Sequence, residues 1–97
     1  MIDRTTIRHQ AGILKALAHE SRLLMVHRLA DGDCTPGDLT ALVGSDQSTV
    51  SKHLSVLKLH GIVADRREGS QVLYSLRTPC VLNFFACASA VLQERLV

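Results

Sequence analysis

Apolar residues recur along this chain at helical spacing in four stretches, then at alternate positions, then almost without interruption. Ile7, Ala11, Leu14 and Leu17 or Ala18 share one face and predict a helix over about residues 6–18. Leu23, Val26 and Leu29 or Ala30 predict a second, capped near Ser21 and ended by Asp31-Gly32-Asp33. Pro36 is well placed as the first residue of a third, whose stripe is Leu39, Leu42 and Val43. Gly44-Ser45-Asp46 breaks the pattern: Gly44 suits a left-handed helix end, and Ser45 or Asp46 can cap the next helix. Val50, Leu54 and Leu57 then form the buried stripe of that fourth helix, which closes at His60-Gly61.

Residues 62–66 and 71–77 read as two strands, with Val72, Tyr74 and Leu76 alternating and Glu68-Gly69-Ser70 as the turn. The last stretch, 79–96, is apolar nearly all round (Val81, Leu82, Phe84, Phe85, Val91 and Leu92 among others) and predicts a helix that needs a cover. In so short a chain the expected cover is the same helix of a second copy, with the first helix alongside. The expectation is therefore a two-fold homodimer.

The region 36–59 is the organising unit: two helices joined by a tight turn, a helix-turn-helix. The outer face of its second helix carries Gln47, Ser48, Ser51, Lys52 and Ser55, short polar groups with a lysine and no acid. An amide can pair with adenine edges, hydroxyls with bases or phosphates, and a lysine with guanine or phosphate. A hairpin directly after such a unit is a wing, and Arg66 and Arg67 are expected at its tip, within reach of phosphate or the minor groove. The whole chain, 1–97, therefore reads as one mainly α domain of order α-α-α-α-β-β-α. Residues 6–18 and 79–96 are its dimerisation helices, and 62–77 is the wing. Candidate DNA contacts are Gln47, Ser48, Thr49, Ser51, Lys52, His53, Arg66 and Arg67.

Composition changes this picture little. A net charge of +2 is compatible with DNA binding without arguing for it. Aromatics are only 3%, so aliphatic side chains must do most of the packing. The longest uncharged run, Thr78 to Gln93, falls short of the about 20 apolar residues a membrane span takes. The N-terminal stretch lacks the apolar core of an export signal, which places the expectation in a reducing cytoplasm with three free thiols. No Cys-x-x-Cys, nucleotide loop or acid–base pair supports an enzyme. A winged-helix module that binds protein instead of DNA would want apolar anchors where Gln47 to Ser55 are polar.

Three ordered motifs resemble the ArsR/SmtB family of bacterial repressors. They are Ala16-Leu17-Ala18-His19-Glu20-Ser21-Arg22-Leu23, the run Ser45 to Leu57, and Gly61-Ile62-Val63 through Arg66-Arg67-Glu68-Gly69 to Leu76. The resemblance implies a winged helix-turn-helix dimer on a pseudo-palindromic operator, released by an inducer. It does not carry the family's founding sensor sites across. The arsenic-responsive Cys-x-Cys falls on Thr35 and Gly37, and the zinc ligands of the last helix are reduced to Glu94. The histidines His9, His19, His27, His53 and His60 show no metal-ligand spacing, and only His53 is tied to DNA.

The sensor candidates are therefore Cys34, Cys80 and Cys87. Cys80 and Cys87 lie on one helical face about 10 Å apart in rise, too far for a disulfide within the helix. Cys34 is expected to be the most exposed, and it could approach either of them in the same or the other subunit. A three-thiolate site for As(III) or Sb(III), or an oxidisable pair, is the expectation for the inducer, with no cofactor required. The competing reading makes Cys80 and Cys87 small core or interface residues and leaves control to abundance, a small ligand or a partner protein.

Overall fold

The computed structural model describes residues 2–96. Its elements run α1 (Arg4–Leu17), α2 (Glu20–Ala30), α3 (Pro36–Val43), α4 (Gln47–Leu59), β1 (Val63–Glu68), β2 (Gln71–Leu76) and α5 (Cys80–Leu96). The expected order is present in full, and its boundaries are set by caps. Asp3 accepts from the Thr6 N–H at 2.8 Å, which starts α1 two residues earlier than expected. His19, not Ser21, caps α2, its Nδ1 accepting from the Ser21 N–H. Thr35 and Asp38 close a reciprocal capping box around Pro36. Gly44 takes φ 77°, a left-handed position where a Cβ would be strained, and Asp46 then caps α4 by accepting from the Thr49 N–H at 2.7 Å.

The core sits between α2, α3, α4 and the base of the hairpin. Met25 and Val26 of α2, Leu39 of α3, Leu57 of α4 and Ile62 are all fully buried, with Val50 and Leu54 nearly so. α1 contributes only its last turn, Ala16 and Leu17. Higher up, the His60 ring of the α4 cap packs against Gly12 so closely that a Cβ there would sit 3.0 Å from it.

The hairpin is antiparallel, with Val63 opposite Leu76 and Glu68 opposite Gln71. A third strand-like pairing anchors it: Cys34 and Tyr74 exchange backbone hydrogen bonds of 3.1 and 2.8 Å. This tie holds the start of the helix-turn-helix against the wing. Two expectations need correction here. Leu42 is exposed, because Leu39 and Val43 take the seats over the core and a step of three residues turns Leu42 about 60° away from Leu39. β2 is half-buried from Val72 to Leu76 without the expected alternation, since parts of both its faces are covered.

α5 meets the core only through its first turns, where Val81, Leu82 and Phe85 pack on it. Beyond them Phe84, Val91 and Leu92 are each more than half exposed, and so is Leu14 of α1. The chain alone leaves these two helices with an uncovered apolar face. No described helix is long and apolar enough to cross a membrane.

Candidate nucleic-acid interface

Burial of one stripe of α4 dictates what the other presents. With Val50, Leu54 and Leu57 in the core, Gln47, Ser48, Ser51, Lys52 and Ser55 face outward and are exposed. Some of these groups are already engaged. The Ser48 hydroxyl donates to Asp46 Oδ1 at 2.9 Å, and the Ser55 hydroxyl donates to the Ser51 carbonyl at 3.0 Å. Gln47, Ser51 and Lys52 have no side-chain partner among the described residues. Thr49 is half-buried, and its backbone N–H is the cap donor.

Asp46 puts one negative charge at the start of this face. The Thr49 backbone N–H, then the Thr49 and Ser48 side chains, hold its carboxyl below the usual carboxylate range, so it stays ionised. That charge favours the helix N-terminus and also fixes the direction of Ser48. Beside the face lies a cleft of about 460 Å³ between α4, Pro36 and the wing, floored by Val50, Leu54 and Tyr74. Tyr74 went unnoticed as a site residue; its place in a strand pointed only to packing.

The wing arginines differ from each other. Arg66 lies opposite Leu73, short of the turn at Gly69-Ser70, and is held by Asp33 and by Glu68 at 2.7 Å. These acids raise its already high pKa and bind its guanidinium back toward the body of the domain. Arg67 is exposed and makes no ion pair among the described residues. Lys58, at the far end of α4, pairs with Asp65 at 2.9 Å and braces the hairpin.

The structure places His53 away from the outer face. Its ring is half-buried against the start of α2, with Nδ1 3.1 Å from Arg22 Nη1 and its centroid 4.4 Å from that of His19. Arg22 in turn donates through Nε to the Ala16 carbonyl at 2.6 Å. Arg22 and His19 were missed as site residues. The available signal was their spacing: both sit at the start of a helix beside the one histidine of α4.

The cysteines reverse their expected exposures. Cys34 is buried, because its backbone joins the hairpin and its thiol turns inward, donating to the Gly32 carbonyl at 3.5 Å. Burial pushes its pKa up; Asp38 and Asp33 add to that, while Arg28 opposes it. Cys80 and Cys87 are exposed on α5. Among the described residues no three His, Cys, Asp or Glu side chains converge as a metal site, so the three thiols do not form one within a single chain.

A helix-turn-helix whose second helix carries a polar outer face with a lysine, with a hairpin anchored beside it, defines a winged-helix DNA-binding domain. Residues 19–65 match the model of the bacterial regulatory protein family arsR. The chain is 36% identical over 86 residues to the HTH-type transcriptional regulator Rv0081 of Mycobacterium tuberculosis, covering 88% of this chain and 75% of that one. It is 44% identical over 64 residues to the biofilm growth-associated repressor of Agrobacterium fabrum, covering 66% of this chain and 55% of that protein. Its structure superposes on the homodimeric winged helix-turn-helix domain of Mb0332 from Mycobacterium bovis with a TM-score of 0.80 and 32% identity. That match covers 99% of this chain and 91% of the other. The chain belongs to the ArsR family and is a DNA-binding transcriptional regulator.

Proposed function

We propose that the protein is a dimeric repressor that binds a pseudo-palindromic duplex operator and is released from it by an inducer. The observation that carries this reading is the outer face of α4, where Gln47, Ser51 and Lys52 are exposed and unengaged beside the wing. Gln47 and Ser51 meet base edges, Lys52 and Arg67 meet phosphate, and Ser48 and Thr49 hold the helix N-terminus against the backbone. Arg66 serves chiefly to orient the wing through Asp33. The bare apolar faces of α1 and α5 support a homodimer like that of the Mb0332 domain. Two such subunits present their recognition helices about 34 Å apart to successive major grooves.

Fluorescence anisotropy on the DNA upstream of its own gene tests this. The expected result is sequence-preferring binding with a steep salt slope. Gln47→Ala should cost about 1–3 kcal/mol and relax preference at one base pair, whereas Lys52→Ala should weaken all sequences alike and lower the salt slope by about 1. Equal affinity for operator and random DNA in the wild type would overturn the reading.

Two exposed thiols on α5 support an inducer that acts there, through arsenite, antimonite or oxidation, and loosens the dimer. Cys80→Ser with Cys87→Ser should then hold on to DNA in the presence of the reagent that releases the wild type. The burial of Cys34 favours a second reading, with no thiol sensor and control by a small ligand, a partner protein or abundance. Wild-type binding indifferent to arsenite, antimonite and peroxide would select that second reading.

A further inference from the structure

The recognition helix is held to the rest of the domain by a cluster of three side chains that the DNA-facing reading does not use. Arg22 lies at its centre. Its Nε donates to the Ala16 carbonyl at the end of α1, and its Nη1 meets His53 Nδ1 of α4. One guanidinium on α2 thus links three helices. The contact fixes a protonation state. A guanidinium carries only donors, so His53 Nδ1 must be a bare acceptor, and the ring must be neutral with its hydrogen on Nε2. The neighbouring His19 ring accepts from the Ser21 N–H through Nδ1 as the cap of α2. The two rings pack against each other with centroids 4.4 Å apart and a tilt of 53°.

A proton on His53 removes the acceptor and turns an N–H toward the guanidinium. It also sets a second cation beside Arg22. Glu20, the first residue of α2, is the nearest acid in sequence; it is exposed and forms no ion pair with His19, Arg22 or His53 among the described residues. The groups acting on His53 are His19 and Arg22, both from the start of α2. α1 offers the Ala16 carbonyl and an exposed Lys15. Asp38 of α3 is closed in its capping box, and Asp65 of β1 is paired with Lys58.

We propose that the Arg22–His53 contact, with the His19 ring packed beside it, is a proton-sensitive seat for the recognition helix, so that protonation of His53 on acidification weakens operator binding. Arg22 and His53 are positioning residues here: they set the angle of α4 without touching DNA. This rests on the operator-binding reading above. It also runs against the general expectation for a DNA-binding protein, in which added positive charge at low pH strengthens the grip on phosphate.

The titration has a definite sign. Burial, then the charges of His19 and Arg22, hold the His53 imidazole below its ordinary value of 6.5. A base with a lowered folded-state value contributes stability that is complete above about 6.5 and is lost as the pH falls through the lower value.

The test is operator anisotropy between about pH 8 and pH 5.5 at constant ionic strength, the window in which histidines titrate. The wild type should lose affinity on acidification by at least about fivefold, the lower end of ordinary coupling between sites. His53→Gln keeps an acceptor for Arg22 and cannot protonate, so its pH profile should flatten. His27→Gln alters a histidine that stacks on Phe85, away from the seat, and should retain the wild-type slope. Affinity that rises on acidification overturns the proposal, as does an equal fall in His53→Gln. Imidazole 15N spectra separate the seat from the operator reading. With no DNA bound at any pH that earlier reading fails, yet an Nε2–H tautomer at His53 and an acid-sensitive melt absent from His53→Gln still support the seat. An Nδ1–H tautomer at neutral pH overturns it.

Discussion

Replacing Leu92 with glutamate is expected to turn the protein into a monomer that has lost most of its operator affinity. Leu92 is 59% exposed in the isolated chain, on the outer half of α5, where only the early residues Val81, Leu82 and Phe85 pack on the core. The substitution therefore leaves the folded monomer almost untouched. At a two-fold interface each change counts twice. Losing one buried leucine per subunit removes about 1.5–3 kcal/mol each, before any cost of burying the two new carboxylates. The dimer dissociation constant should rise by about a thousandfold or more, since each 1.4 kcal/mol is about tenfold. Sedimentation equilibrium reads this directly, and circular dichroism should show helix content retained. Operator affinity should fall with it, because two half-sites held by one dimer become two independent weak sites. A Leu92→Glu protein that sediments as a dimer would move the interface elsewhere.

The second large effect is expected from Leu57→Ala. Leu57 is fully buried on the inner stripe of α4, and its removal leaves a cavity at the junction with α2 and the base of the hairpin. Such truncations cost about 2–5 kcal/mol, out of a total of about 5–15 for a domain. Each kcal/mol lowers the melting temperature of a domain this size by about 4–8 °C, so a drop of about 8 °C or more should appear by calorimetry. Ser51→Ala, six residues earlier on the opposite face, should do the reverse. Stability should stay within about 0.5 kcal/mol while operator affinity falls. The pair separates the two duties of one helix, and a loss of stability in Ser51→Ala matching that of Leu57→Ala would show that the faces are not independent.

Much of this architecture was readable without coordinates, and the reasons are local. Val50, Leu54 and Leu57 define the inner stripe of α4, and once that stripe is chosen the identity of the outer face is set by helical geometry. Gly44 and Asp46 stop one helix and start the next through backbone chemistry that involves only neighbours in sequence. The uncovered state of α5 was legible from its composition, since a helix apolar nearly all round cannot stand in water alone.

The misjudged residues share a different property: partners distant in sequence determine their places. Cys34 looked exposed because its sequence neighbours are Asp31, Gly32, Asp33 and Pro36. It is buried because Tyr74, forty residues on, pairs with its backbone. Arg66 looked free at a wing tip, yet Asp33 from the loop before α3 binds it. His53 looked like one more polar residue of the recognition helix. At 100° per residue it lies between the outer face and the core, and only the position of α2 reveals which neighbour takes its ring. Helix periodicity, caps and turns are short-range constraints, so the chain alone determined the elements, their order and the face that α4 turns outward. The burial of a thiol, the tethering of an arginine and the seat of His53 depend on which elements meet in space. Those contacts join residues more than thirty apart in sequence, and only the tertiary structure decided them.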